Sequence, residues 1–220
     1  MNTTLKVSKK SIRRPTSGPN NKSVSRSGRK LFQKLRLSKV PRFLQVADER
    51  GELDRIWKLR SKAYGKRYLG FSESNRDNFD KESCVLYSQD KVGNIVSTGR
   101  VVLDSPLGLP ADEIIKPAVD ALRAKGLVLA EPSKFAISRK AGNILPVYLL
   151  TIYEIGLSLG VDSLIFIIWD KNVDLYKRIV DAKVLVPDVG YSYGTNHRFS
   201  LLECKIQKEL PYYFKSLKDK

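Results

Sequence analysis

Residues 130–160, AEPSKFAISRKAGNILPVYLLTIYEIGLSLG, set a carboxylate, Glu131, in an apolar stretch that runs into an R-x-x-G turn and then a long apolar segment. A strand, a glycine-bearing turn and a helix start in succession direct several unpaired backbone N–H groups at one spot. Those donors, with Arg139, Gly142 and Asn143 at the turn, suit a phosphate, while Glu131 upstream is placed to accept a proton. The combination points to group transfer from a phosphate-bearing carrier. R-x-x-G alone is a common chance pattern, and Gly142 equally serves a strand–helix turn that requires positive φ. Farther along, Tyr176 lies in NVDLYKRI, residues 172–179, just after a second apolar segment. A phenol there can protonate a leaving thiolate, or its ring can pack with Ile179 beneath a sheet.

The elements that must position these groups are legible from periodicity. Leu53, Ile56, Trp57, Arg60, Ala63 and Tyr64 follow helical spacing. Ser83–Gln89 and Ile95–Leu103 read as strands joined by the turn DKVGN, followed by a loop over 104–110 and a helix over 112–125 interrupted near Pro117. Leu127–Ser138 is the next strand, where Pro132 predicts a bulge or an unpaired edge. A helix over 144–159, a buried β-branched strand over 163–168, a helix over 173–181 and a strand over 198–206 complete the order. Alternation of this kind predicts an α/β layer arrangement around a mixed sheet, part antiparallel and part parallel.

Charge divides the chain. Of 40 Lys/Arg and 23 Asp/Glu, residues 1–47 hold 13 basic and no acidic residues, which leaves 27 against 23 and a net charge of +4 from residue 48 onwards. The basic excess therefore belongs to a tail, and specific nucleic-acid binding by the folded part is not expected. Residues 1–30 are too poor in apolar groups to offset chain entropy. KLFQKLRLSKVPRFLQV, residues 30–46, mixes apolar groups with cations and reads either as a solvated linker or as an amphipathic segment for an anionic membrane surface. An organelle transit peptide is a further reading of the same composition. The expected organisation is a basic tail over 1–47, one folded domain over 48–210 and a short basic tail over 211–220. Cys84 and Cys204 are in no metal-ligand spacing and fit reduced, structural thiols; His197 is the sole histidine, so neither a histidine metal cluster nor a Ser-His-Asp centre is expected. No apolar run reaches 18 residues, and the expected location is cytoplasmic, peripheral to the inner membrane if the tail binds lipid.

The order of elements, with R-x-x-G after one strand and N-x-x-L-Y-K-R after the next, resembles the GNAT superfamily of acyltransferases over about Leu53 to Ile206. Ile144 stands where that superfamily usually has Gly or Ala. Arg60 and Tyr64 on the first helix, Asp77-Asn78-Phe79-Asp80, Ser97-Thr98-Gly99-Arg100 and Glu131-Pro132-Ser133-Lys134 resemble the acyl-homoserine-lactone synthases, which carry Arg at the position of Lys134. The segment LDSPLGLPADEIIKPAVDALRAKG, residues 103–126, with LVLAEPSKFAIS after it, is similar to the long-chain N-acyl amino acid synthases, which share that GNAT-like core.

The resemblance implies a three-layer fold whose mixed, mostly antiparallel sheet is splayed between strands 4 and 5. It implies transfer of a long acyl group from an acyl carrier protein thioester, or from acyl-CoA, to an amino acid amine, with no tightly bound cofactor and no metal. In that setting Glu131 takes the ammonium proton, directly or through water, and Tyr176 protonates the thiolate. The strand near Phe135–Ser138, Ile137 included, supplies backbone donors to the thioester, and Arg139, Gly142 and Asn143 hold the phosphopantetheine phosphate. Arg60, Tyr64, Asp77, Asp80 and Arg100 shape the acceptor pocket or form a structural ion-pair cluster. Lys134 pairs with Glu131 or an acceptor carboxylate, as a point charge rather than a bidentate fork. The rival readings are a lactone synthase using S-adenosylmethionine, an acetyl-CoA-dependent acetyltransferase, and a basic binding module without catalysis.

Overall fold

The computed structural model describes residues 43–47, 50–65, 78–190 and 197–218. Their order is β1 (Gln45–Val46), α1 (Arg50–Tyr64), α2 (Phe79–Glu82), β2 (Ser83–Gln89), β3 (Ile95–Leu103), α3 (Asp112–Arg123) and β4 (Leu129–Ile137). There follow α4 (Leu145–Leu159), β5 (Ser163–Trp169), α5 (Val173–Val180), β6 (Lys183–Val186), β7 (Phe199–Lys205) and α6 (Tyr212–Lys218), with single 3₁₀ turns at Arg139–Ala141 and Asp170–Asn172. The seven strands form one sheet in the order β1-β2-β3-β4-β5-β7-β6, antiparallel throughout except for the parallel pair β4–β5.

Strand alternation sorts the core into layers. Leu86, Val101, Phe166 and Leu202 join Tyr148, Ile152, Ile179 and Phe214 from α4, α5 and α6 on one face. Val102, Leu129, Ile165 and Leu201 pack with Phe79, Val119 and Leu122 from α2 and α3 on the other, beside a patch in which Ile56 of α1 meets Val85 and Tyr87. The fold is thus the expected three-layer, GNAT-like arrangement. α4 is apolar on nearly every side because it lies deep in its layer, and it ends where Gly160 takes a left-handed conformation at φ 70°.

The parallel pair is short. Only Leu129↔Ser163 and Ala130↔Leu164 are in register, although β4 continues to Ile137 and β5 to Trp169. Pro132 falls where β4 has left β5, so its missing N–H removes nothing from that ladder. On the other edge the β3–β4 register slips: Arg100 pairs with Ser133 and Thr98 with Ala136. The extra residue in β4 is accommodated by Lys134 at φ 55°, a conformation rare outside glycine. Both consequences foreseen for Pro132, a bulge and an open edge, occur on this strand.

The structure extends the folded region at both ends. Leu44, Val46 and Ala47, assigned to the tail by composition, are buried, because β1 adds an edge strand to β2 through Gln45↔Tyr87 and Val46↔Leu86. At the other end α6 anchors the supposed C-terminal tail by inserting Phe214, fully buried, against Tyr153. β6 was not foreseen; four residues with alternating partial burial give little periodic signal. The interruption expected near Pro117 appears at Ile115, whose φ of −143° breaks the helix before the proline.

Gly99 lies under the bulge. A Cβ there would stand 2.7 Å from Cε1 of Phe135, whose ring makes an edge contact with Tyr148 at 6.0 Å between centroids. Gly99→Val is expected to displace Phe135 and lower stability by about 1–3 kcal/mol, the usual cost of overpacking. Urea unfolding measures it, and an unchanged midpoint would contradict this reading of the contact.

Candidate active site

The parting of β4 from β5 opens a cavity of about 520 Å³. One wall is β4 from Glu131 to Phe135 with Ile137; the opposite wall is Ile167, Ile168 and Trp169 of β5. Tyr64, Phe79, Glu113 and Ile114 reach it from the α1–α3 layer, and Leu145, Leu175 and Tyr176 from the α4–α5 layer. The cavity therefore passes through the sheet, so two substrates can approach one strand edge from opposite layers.

Glu131 is the first residue beyond the last β4–β5 pair and is 4% exposed. Its Oε2 accepts a hydrogen bond from the Ala111 backbone N–H at 2.7 Å, which favours the ionised form and fixes the side chain. Tyr176 is buried on the far side, with its ring edge-on to Phe166 at 5.2 Å rather than against Ile179 alone. Burial, reinforced by the neighbouring Tyr64, pushes the Tyr176 phenol well above its ordinary value of 10.0. It therefore stays protonated through the neutral range.

Alternation also tells which backbone groups of β4 face the opening. Ser138 N–H donates to Val96 O at 2.9 Å, so Ser138 and Ala136 turn their polar groups toward β3. Phe135 and Ile137 must turn theirs toward the parted side. The Phe135 carbonyl is taken by the Tyr64 hydroxyl, which donates at 2.7 Å. The Ile137 N–H faces the cleft.

Behind the cavity, Asp80 gathers three donors: Trp57 Nε1 at 2.8 Å, Arg60 Nη1 at 2.9 Å to each carboxylate oxygen, and Arg100 Nη1 at 3.0 Å. Arg60 and Arg100 are fully buried. Arg60 lies one helical turn beyond Ile56, on the buried face of α1. Burial works to raise the Asp80 carboxyl, but the charges of Arg60 and Arg100 outweigh it and hold it below the ordinary 3.8. Arg100 continues toward the cavity, with Nε donating to Ser133 Oγ at 3.2 Å and its guanidinium 5.9 Å from the Phe79 ring.

The structure thus brings together Tyr64, Arg100, Glu131, Lys134, Ile137 and Tyr176 around one cavity, with Arg60 and Asp80 behind it. Asp77 lies outside the described residues. Arg139 and Asn143 are exposed and do not line the cavity; they sit on its rim, between the lining residues Ile137 and Leu145. Gly142, at φ 63° and ψ −151°, occupies a region that side chains rarely enter, and no side chain caps the start of α4. Trp57, read from the sequence only as part of the helical pattern and not as a site residue, lies three residues before Arg60, a spacing that shares a helix face. The Ala111 donor had no sequence signal, being a backbone group. Trp169, which lines the cavity, stacks on His197 at 4.0 Å and carries Lys171 Nζ 3.2 Å from its ring centroid. Among the described residues no cluster of His, Cys, Asp or Glu could hold a metal ion, and no helix is long and apolar enough to cross a membrane.

The family model for N-acyl amino acid synthase FeeM matches residues 55–205, from within α1 to the end of β7. The chain belongs to the N-acyl amino acid synthase FeeM family. It is therefore an acyltransferase. Among solved structures it is similar to FeeM, an N-acyl amino acid synthase from uncultured soil microbes, at 18% identity and a TM-score of 0.61, covering 75% of this chain and 91% of that one. It is also similar to the AHL synthase LasI, at 17% identity and a TM-score of 0.54, covering 74% and 89%. The CoA-dependent acyl-homoserine lactone synthase BjaI gives 14% identity and a TM-score of 0.56, covering 77% and 82%. A search of curated proteins finds no sequence match.

Asp80→Asn leaves two buried guanidinium groups facing a neutral amide. It is expected to cost about 3–5 kcal/mol, the usual range for breaking a buried ion pair from one side. A depressed carboxyl contributes stability above its unfolded value and loses it as pH falls, so the gap between wild type and variant should narrow below the ordinary 3.8. Denaturant unfolding at pH 7 and pH 3 checks both; a gap independent of pH would contradict the assigned charge state.

Proposed function

We propose that this acyltransferase moves a long-chain acyl group from an acyl carrier protein thioester to the α-amine of an amino acid. The observation that carries the proposal is the through-sheet cavity with Glu131 at the point where the strands part. Apolar groups from Ile137, Leu145, Ile167, Ile168 and Leu175 suit an acyl chain, while Arg100, Glu113, Glu131 and Lys134 suit a small charged acceptor.

An ammonium group cannot attack until it loses a proton. Glu131 takes that proton, directly or through water, and the free nitrogen adds to the thioester carbon. Negative charge develops on the carbonyl oxygen, where the Ile137 N–H on the open edge of β4 is the donor. The tetrahedral species collapses with cleavage of the C–S bond as its nitrogen sheds a second proton to water, and Tyr176 gives its proton to the departing sulfur. The products are an amide and a carrier thiol; the proton on Glu131 returns to solvent and Tyr176 is reprotonated. Arg60, Asp80 and Arg100 hold the acceptor side rigid, and Lys134 faces the acceptor carboxylate.

A carrier-protein donor is supported by the exposed cations along the rim: Arg139 and Lys140 after β4, Lys171 beside Trp169, and Lys177 and Arg178 on α5. Acyl carrier proteins are strongly acidic, and such a rim steers their approach. The phosphopantetheine phosphate would meet Arg139 and the backbone from Gly142 to Asn143, ahead of the uncapped α4. The basic segment 1–42 lies outside the described residues, and its contact with carrier or anionic lipid stays part of this proposal.

Purified protein incubated with acyl-carrier thioester and an amino acid pool should form N-acyl amino acid, and Glu131→Gln should lower kcat by about 10²–10⁴-fold, the span of general-base catalysis. Parallel incubations with acyl-CoA and with S-adenosylmethionine as acceptor separate the donor and lactone readings. Full activity in Glu131→Gln, or product only with S-adenosylmethionine, would overturn the assignment.

A further inference from the structure

Arg123, the last residue of α3, uses all five of its N–H donors on three carboxylates. Nε and Nη2 reach the two oxygens of Asp104 at 2.7 and 2.9 Å, and Nη1 and Nη2 reach those of Asp112 at 2.7 and 2.6 Å. Nη1 also donates to Asp120 at 2.8 Å. Two bidentate forks on one guanidinium define a geometry that no lysine reproduces. None of these four side chains lines the cavity. A cluster of this kind near the surface contributes little to stability as charge pairing alone, so its placement matters more than its energy.

Asp104 directly follows β3, where its N–H donates to Leu129 O at 3.0 Å, and Asp112 opens α3. Arg123 therefore joins the two ends of the loop over 105–111. Inside the loop Asp112 Oδ2 accepts the Leu109 N–H at 2.7 Å, and Gly108 at φ 78° leaves that oxygen 2.6 Å from where a Cβ would stand. Leu109 and Ala111 are wholly buried. The Ala111 N–H, the last group of this chain of contacts, donates to Glu131 Oε2.

We propose that Arg123, Asp104 and Asp112 are positioning residues that hold the 105–111 loop so that the Ala111 N–H fixes the Glu131 carboxylate. The inference rests on Glu131 being the proton acceptor. A donor held against one carboxylate oxygen limits the side chain to one rotamer and favours its charged form. Other charged or titratable groups around the cavity are Arg100 from β3, with Asp80 behind it, Glu113 from α3, Lys134 from β4, Tyr64 from α1 and Tyr176 from α5. None of them is a hydrogen-bond partner of Arg123, whose partners are Asp104, Asp112 and Asp120.

The test compares wild type with Arg123→Lys, which keeps the charge and loses the forks, and with Gly108→Ala, which disturbs the loop while leaving the guanidinium in place. Circular dichroism and thermal unfolding establish that each variant is folded. In folded variants kcat should fall about 10–100-fold, as a slight misplacement of a reacting group does, with KM for the acyl donor little changed. The acid limb of kcat/KM should move to higher pH by about one unit, because the carboxylate has lost a donor. Deuterium exchange in the peptide containing Ala111 should accelerate in both. Wild-type activity in a folded variant, or reduced activity with an unmoved acid limb and unchanged exchange, overturns the clamp. Glu131→Gln run beside them separates the two failures: full activity there removes the base and the clamp together, whereas inactivity there with an unaffected Arg123→Lys removes the clamp alone.

Discussion

Everything at the site depends on β4 leaving β5 after two residue pairs. Had the parallel ladder continued past Ala130↔Leu164, it would have occupied the Ile137 N–H and sealed the sheet between its two helical layers. Parting leaves unsatisfied backbone groups on an inner edge, which is costly in a core. The structure meets that cost in three ways. Pro132 removes one donor, Tyr64 takes the Phe135 carbonyl, and the residual donor faces the cavity. On the opposite edge the register against β3 shifts at the Lys134 bulge, three residues beyond Glu131.

The parting also assigns the two halves of the reaction to two layers. On the α1–α3 side charged groups meet one another: Asp80 binds Trp57, Arg60 and Arg100, while Arg123 binds Asp104, Asp112 and Asp120. On the α4–α5 side the lining is apolar, and the Tyr176 phenol keeps its proton because burial opposes the charged form. Glu131 stands between them, with one carboxylate oxygen tied to the Ala111 backbone donor.

Much of this was legible in the sequence, and what was not has physical reasons. Glu131 and Tyr176 stood beside apolar strands whose composition fixed their depth, and Arg60 and Tyr64 shared the helical spacing of Ile56. The bulge was announced by Pro132, since a proline inside a strand needs an irregular or open edge. β1 and α6 were missed because two residues of strand and one buried Phe214 carry no period, and both form by tertiary contact with β2 and Tyr153. Arg139 and Asn143 lie on the rim of the cavity and not in its lining; turn chemistry predicts a glycine's conformation but not where a turn sits relative to a cavity. The role of 105–111 was hidden for a different reason. Its resemblance to a family was plain, yet its contact with Glu131 runs through the Ala111 backbone, which any residue but proline could supply.

The central claim, that the parted strands hold a long acyl thioester against an amino acid amine, is tested most directly by mass spectrometry of lipid extracts from cells expressing the wild-type chain. The account predicts new species whose fragments give a fatty acyl group joined by an amide to an amino acid, absent from cells carrying an empty vector. An extract containing only acyl-homoserine lactones, only short N-acetylated amines, or no new amide at all would contradict it.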